Sequence, residues 1–567
     1  MSEPTLLSMA RWAHALRAED APAAVRERLR LQAASILGGA AAAVDHPDLA
    51  SPLSVARRMG DGPLQVAPGV DGLTVEGALF AGSCLSMARE GDDWMLCAHP
   101  TASVWASWLG AAFLGLPWDD ALRAQLAANE IAGRLGGLVV GGRSHGQALG
   151  FVSAVTGALV AGLLRNHTPE QLAASMGLAL TQAHHVDTAQ LRGAGRVLTV
   201  ARPLLDGWRL AELVEGGLTG PIDVLDSESD FVRAFSGGRP AWGFITGLPV
   251  DEPAETTWLT TSLALSVSPL HEYVTTALDA LDAALAEAEE RLGEPVDLSR
   301  ILRLDVDCCA PSMALERQST SASLAPNAVA RSIRKAIAIR LVRGAGGDLP
   351  DPAWIAAHTD AIGTALGTIR LHHDWRLTLG TWAGLAPIQP ALAEIGPGAL
   401  LAALGPGASL DAGLSLAELP LSLAGDKVQD PEDLPALVGR GLSKLGSLAA
   451  RSVERFLPAA LALKAPAVDL ASASLDDLVL AVPCRVRLLL HGGHVVKAEA
   501  SVPAGAPGSD AEATAKAVRA KLLAGLLHAA PGARAAHEGM ADSLLGPGNG
   551  AAVTLPGAGP AVLLTRP

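Results

Sequence analysis

The 567 residues carry a formal net charge of −15, with 49% hydrophobic and 18% charged residues. That length exceeds what one core usually serves, so two or more domains are expected, and the apolar fraction excludes a disordered chain. The negative field excludes a nucleic-acid partner or an anionic membrane surface.

Five cysteines (Cys84, Cys97, Cys308, Cys309 and Cys484) show neither CxxC nor disulfide-framework spacing. The first twenty residues carry charges and lack an apolar h-region. A reducing cytoplasm is the expected location. Two uncharged runs, Pro100–Trp118 and Gly146–Leu164, approach the ~20 apolar residues that span a bilayer. Their Ala, Gly, Ser and Thr content reads better as buried helices of an α-rich core, so no membrane partner is expected.

From residue 5 to about 266 the pattern is helical. Asp20-Ala-Pro22 opens one helix, and Thr168-Pro169-Glu170-Gln171 reads as a capping box with proline at the first helical position. Pro100 and Pro203 likewise read as helix starts, which places His99 and Arg202 at helix N-termini. Beyond this block, Ile301–Asp307, Thr368–Thr378 and the pair Val482–Leu490 with Val495–Ala500 around HGGH alternate as strands. Helices are expected at Val274–Leu292, Pro326–Arg343 and Asp510–Ala529. Between Gly380 and Ala481 lies a Pro/Gly/Leu/Ala-rich stretch that reads as an insertion.

Not one lysine precedes Lys335. Schiff-base, P-loop and lysine general-base chemistry are thereby excluded from the N-terminal half, leaving histidine and carboxylate for acid–base work and arginine for fixed charge. Three segments carry such groups: Gly91–Trp105 (GDDWMLCAHPTASVW), Gly141–Phe151 (GGRSHGQALGF) and Gly195–Trp208 (GRVLTVARPLLDGW).

His99 before Pro100 would sit where a helix dipole favours a neutral ring and a nearby anion, with Asp92 and Asp93 available to orient it. The plainer reading is that the aspartates cap a helix and His99 fills a packed corner. His145 lies in a glycine loop that lets backbone approach a ligand. The G-x-S-x-G around Ser144 suits a hydrolase elbow in spacing but not in context, because Ile131–Leu138 reads helical. Arg202 beside Pro203 offers a carboxylate clamp, against the alternative of a surface arginine. His184-His185-x-Asp187 and His372-His373-Asp374 lack metal-ligand spacing, so no metal is expected, and Cys308-Cys309 read as buried thiols.

DDW…AHPTASVWASWLGAAFLG, NEIAGRLG, SHGQALGFVSAVTGALVAGLL, TPEQLAASMGLALTQA, GWRLAELVEGGLTGP and VPCRVRLLL…GHVVKAEASVPAGAPGS follow one another in the order of the MmgE/PrpD family. The chain resembles that family, which includes 2-methylcitrate dehydratase and cis-aconitate decarboxylase, from about residue 5 to 380 and again from about 480 to 525. The resemblance implies a large helical domain plus a smaller α+β lid, an active site between them, a homodimer and no cofactor. His99, His145, Asp92 and Asp93 match the family pattern. Arg202 stands where a lysine is common, Leu205 where a histidine is, and Ser266 or Val267 where a second lysine is; His271 is the nearby thiol-or-histidine position.

The expectation is therefore a mainly α chain: a helical domain over 1–266, completed by 505–567, and an α+β lid domain over 267–504 with an insertion at 380–480. Its expected function is a cofactor-independent lyase, dehydratase or decarboxylase, taking an α-proton from a small carboxylate. His99 and His145 would be acid or base, Asp92 and Asp93 would orient them, and Arg202 and His271 would bind substrate. The alternatives are an isomerase or cyclase on a less charged substrate, a non-catalytic ligand-binding relative, and a Ser144 hydrolase.

Overall fold

The computed structural model describes residues 3–96, 98–142, 149–183, 190, 193–226, 229–319, 322–344, 352–392, 470–545, 553–554 and 562–563. The chain is mainly α and divides into two compact units. Unit 1 comprises Met1–Val267, Val468–Asp476 and Asp510–Pro567; unit 2 comprises Ser268–Ala467 and Asp477–Ser509. Most of the stretch read as an insertion, 393–469, lies outside the described residues.

Unit 1 is built on helices α1 (Thr5–Ala15), α2 (Ala23–Ala41), α3 (Ala50–Arg58), α4 (Val75–Met87), α5 (Thr101–Leu114), α6 (Trp118–Leu138), α7 (Leu149–Leu164), α8 (Pro169–Thr181), α9 (Leu198–Glu215) and α10 (Asp230–Ser236). All sixteen residues of α7 are buried, and α5, α6, α8 and α9 pack around it. A helix apolar on every side can only be stable at such a centre. The capping box forms at α8, where the Thr168 hydroxyl accepts from Gln171 N at 3.3 Å and the Gln171 side chain accepts from Thr168 N at 3.0 Å. Pro22 and Pro100 flank helix starts as read. The short strands β1 (Asp61–Leu64), β2 (Trp94–Met95) and β3 (Leu263–Ala264) add little sheet, with β2 pairing antiparallel to β3.

Pro203 corrects the sequence reading. It lies inside α9, which begins at Leu198. Leu198 follows a tight 3₁₀ turn, Ala194–Val197, that already starts the helix. The proline there gives up its backbone hydrogen bond and crowds the Thr199 carbonyl, a cost offset by the ten other α9 residues that bury themselves in the core.

Unit 2 is α+β. A four-stranded sheet has the spatial order β5-β4-β6-β7, from β4 (Ile301–Cys308), β5 (Ile369–His373), β6 (Cys484–Leu490) and β7 (Val495–Ala500). β4 runs parallel to β5 and antiparallel to β6, and β6 to β7. Helix α11 (Glu272–Leu292) covers β6 and β7. Between β4 and β5 the chain forms α12 (Ala310–Gln318), α13 (Pro326–Ala330), α14 (Ile333–Arg343), α15 (Pro352–Ala357) and α16 (Thr359–Thr368). The helix expected over Pro326–Arg343 is thus two, because Ser332 caps a restart by accepting from Lys335 N at 3.3 Å. The strand expected over Thr368–Thr378 stops at His373: Asp374 caps α17 (Trp375–Gly384), accepting from Arg376 N at 2.7 Å. A short helix, α18 (Gln389–Leu392), follows.

The chain returns to unit 1 with α19 (Ala511–Ala529) and α20 (Arg534–Leu545). Helix α19 lies against α2 at glycines. A Cβ on Gly38 would come within 2.7 Å of Leu522 Cα, and one on Gly525 would collide with the Gly38 carbonyl oxygen. Backbone therefore meets backbone at this crossing. Among the described residues no helix is long and apolar enough to cross a membrane.

The crossing gives a test. Gly525→Ala should lower the unfolding free energy by about 1–3 kcal/mol, the usual cost of overpacking. Gly539→Ala, on the exposed face of α20 with nothing within 4 Å of the added carbon, should be neutral or add up to about 1 kcal/mol. Equal effects in urea titration would contradict the packing described.

Candidate active site

The segment Ala88–Pro100 joins α4 to α5 and carries Glu90, Asp92, Asp93 and His99. Two non-glycine residues in it are left-handed, Glu90 at φ 48° and Leu96 at φ 51°. Such backbone is costly for a side-chain-bearing residue and persists only where its surroundings enforce it. Here the enforcement is visible. β2 is tied to β3, and Met95 and Ala98 exchange two backbone hydrogen bonds of 2.8 Å.

His99 Nδ1 lies 2.9 Å from Asp92 Oδ2, a close approach that falls short of a straight hydrogen bond. The other Asp92 oxygen receives Arg196 Nη2 at 2.7 Å, and the same nitrogen lies 2.8 Å from Glu90 Oε2. Arg196 Nε donates to Met87 O at 3.0 Å, at the carbonyl end of α4. The side chains of Arg196, Glu90 and Asp92 are 3%, 4% and 6% exposed, whereas that of His99 is 26% exposed. A chain of charge thus runs from a buried guanidinium through Asp92 to a histidine at the surface of unit 1.

Asp93 turns the other way. It is fully buried, and its Oδ1 accepts from Ser266 N at 2.8 Å and Ser35 Oγ at 3.2 Å. Burial raises its carboxyl to about 7, against the pull of Lys521 and two hydrogen bonds. Arg28 of α2 donates to Leu263 O and faces Asp93; burial brings its pKa down to about 10. Lys521 of α19 donates to Ser35 Oγ at 3.1 Å and to the Ser266 carbonyl. The exclusion of lysine from the N-terminal half is true of the sequence, but the fold brings one back from the C-terminal helix.

Of the residues singled out in the sequence, Asp92, Asp93 and His99 come together. Arg202 does not join them: it sits on α9 with its side chain 76% exposed, 3.8 Å from Asp206. The helix start that would have aimed it at an anion does not exist. His271 belongs to unit 2, where it precedes α11 and accepts from Tyr273 N at 3.3 Å. His145, Ser144 and His184-His185-x-Asp187 lie outside the described residues. The segment leading to Ser144 is helix α6 and a turn, not the strand a nucleophile elbow requires. His372 and His373 contact Asp305 and Thr378, and no group of three or more His, Cys, Asp or Glu side chains among the described residues is placed to hold a metal.

Residues 7–242 match the family model of the MmgE/PrpD N-terminal domain. Over these residues the chain is similar to the N-terminal domain of the MmgE/PrpD family. The chain matches none of the curated proteins. That similarity supports a dehydratase-like enzyme in general terms. Every member of the Glu90–Asp92–Arg196–His99 chain falls inside the matched domain, while Ser266 and Lys521 fall outside it.

Sequence reasoning chose the wrong arginine of GRVLTVARPLLDGW. A signal for Arg196 was present: two acids two residues apart, in a lysine-free half, need a buried cation before they can leave water.

Two expectations follow. Arg196→Met leaves Glu90 and Asp92 buried without their cation and should cost about 3–5 kcal/mol of stability, whereas Arg202→Ala, exposed, should stay within about 0.5 kcal/mol. Asp93 sets a pH dependence. Its folded pKa of about 7 lies above the ordinary aspartate value of 3.8, so between those values the folded state holds a proton that the unfolded state has lost. Its contribution to stability is full below the lower value, declines as pH rises through that window, and is flat above it. Subtracting the unfolding free energy of Asp93→Asn from that of wild type should expose this decline; a difference that rises with pH would contradict it.

Proposed function

We propose that this chain is a lyase acting on a small carboxylate, with His99 as the base: it takes the proton α to a carboxyl group while hydroxide leaves the adjacent carbon as water, or, where CO₂ departs instead, the protonated ring gives its proton to the carbanion left behind. The observation that carries the reading is the buried pairing of Asp92 with Arg196 behind His99. A carboxylate beside Nδ1 selects the tautomer with hydrogen there, so the lone pair sits on Nε2. When Nε2 takes the substrate proton, the resulting imidazolium gains the Asp92 charge 2.9 Å away. Arg196, bonded to the other Asp92 oxygen at 2.7 Å, holds the carboxylate in place behind the ring. The start of α5 beside His99 favours an anion, which suits a substrate carboxylate.

His145 remains in the proposal as the partner acid or base on the strength of its glycine loop, and His271 as a substrate contact. Arg202, exposed and paired along its own helix, is left out. A cofactor, a homodimer and a cytoplasmic location stand as the sequence reading has them: none required, expected and expected.

His99→Asn should reduce kcat by about 10²–10⁴-fold, the yield of a positioned base, measured on 2-methylcitrate, citrate and cis-aconitate. Asp92→Asn should fall in the same range with KM little changed, because it alters the ring's tautomer and not the substrate contacts. Wild-type turnover in both variants would return the pair to a purely structural role.

A further inference from the structure

Lys521 lies 255 residues beyond Ser266, yet its ammonium donates to the Ser266 carbonyl and, at 3.1 Å, to the Ser35 hydroxyl. Resting on the lyase reading above, we propose that Lys521 is a positioning residue of the His99 site: the C-terminal helix delivers it to hold Asp93 and, through Ser266, the segment that carries Asp92 and His99.

The peptide of Ser266 is the point of transmission. Its carbonyl takes Lys521 and Ser35 Oγ (2.8 Å), its N–H donates to Asp93 Oδ1, and its hydroxyl donates to Glu90 O at 2.7 Å. Ser266 thus grips both ends of the Glu90–Asp93 stretch, including the left-handed Glu90 whose carboxylate holds Arg196. Moving the lysine moves that grip.

The delivery is built into the helix crossing. Helix α19 reaches α2 at Gly38 and Gly525, where backbones touch. One residue along, a Cβ on Gly39 would lie 3.4 Å from Lys521 Nζ and 3.5 Å from Gly91 Cα. The lysine therefore passes through a glycine notch that also borders the active segment. An ordinary surface lysine needs no such passage.

The charges facing Asp93 are Arg28 from α2, Lys521 from α19 and Asp92 from its own segment. Asp93 Oδ2 has no hydrogen-bond partner among the described residues, so the charge on the carboxylate is balanced chiefly through space. Lys521 favours the ionised form, which is the form that accepts the Ser266 N–H and Ser35 O–H most strongly.

The test compares Lys521→Gln with Lys521→Arg. In Lys521→Gln the acid limb of the kcat/KM profile should move to higher pH by about 1–3 units, the range for loss of a nearby opposite charge. Lys521→Arg, which keeps the charge, should restore most of the wild-type limb. An unmoved limb in Lys521→Gln, or equal shifts in both variants, overturns the proposal. The Asp93 side-chain carboxyl ¹³C resonance, assigned with Asp93→Asn and titrated without substrate, separates this from the lyase reading. If wild type turns over none of the three carboxylates, the lyase reading falls. The Asp93 midpoint then still decides the lysine: a rise in Lys521→Gln upholds its grip on Asp93, and an unchanged midpoint ends it.

Discussion

One buried arginine shared by two acids is the constraint on which this site depends. Arg196 must leave water with Glu90 and Asp92 and with the last carbonyls of α4, because none of the three charges is stable alone at that depth. Once they are paired, the path of the Ala88–Pro100 segment is fixed. Glu90 takes up a left-handed backbone, Asp92 points toward His99, and Asp93 points away from it into the core. Two adjacent aspartates acquire opposite environments from that single turn. One is ion-paired and serves a half-exposed histidine; the other is enclosed, with a carboxyl pushed up to about 7. Pairs of carboxylates whose surroundings separate their ionisation are a recurrent basis for dividing acid–base roles.

The second feature is that unit 1 is not closed by its own first 267 residues. Helix α19 packs into α2 through Gly38 and Gly525 and places Lys521 on the same Ser266 peptide that holds Asp93. The family match ends at residue 242, so the histidine chain and its C-terminal support come from different parts of the chain. Energetically the support is local: three hydrogen bonds and one cation on a single residue, inside a crossing too tight for a Cβ at Gly38 or Gly525.

What could be read from the sequence was what local chemistry decides. The capping box at Thr168, the strands β4, β6 and β7, and the helical nature of Ile131–Leu138 each follow from neighbours a few residues apart, and each is present, although β4 is buried on both faces from Leu304 on. His99, Asp92 and Asp93 drew attention because they fall within eight residues of one another. Pro203 misled because the rule that places proline at a helix start knows nothing of the 3₁₀ turn before it or of the core that α9 fills. Arg196 was passed over for the opposite reason. The signal for it lies at Glu90 and Asp92, about a hundred residues away, and nothing beside Arg196 in sequence points to them. Ser266 was noted only as a missing lysine, while its peptide proves to be the joint between Asp93, Glu90 and Lys521.

The central claim is that Arg196 fixes Asp92 so that His99 keeps its proton on Nδ1 and offers Nε2. Nitrogen-15 NMR of the His99 ring, assigned with His99→Asn and recorded in wild type and Arg196→Met, measures this directly. The account predicts a neutral ring protonated at Nδ1 in wild type and a mixed tautomer in any folded Arg196→Met protein. A wild-type ring protonated at Nε2, or a tautomer indifferent to Arg196, would contradict it.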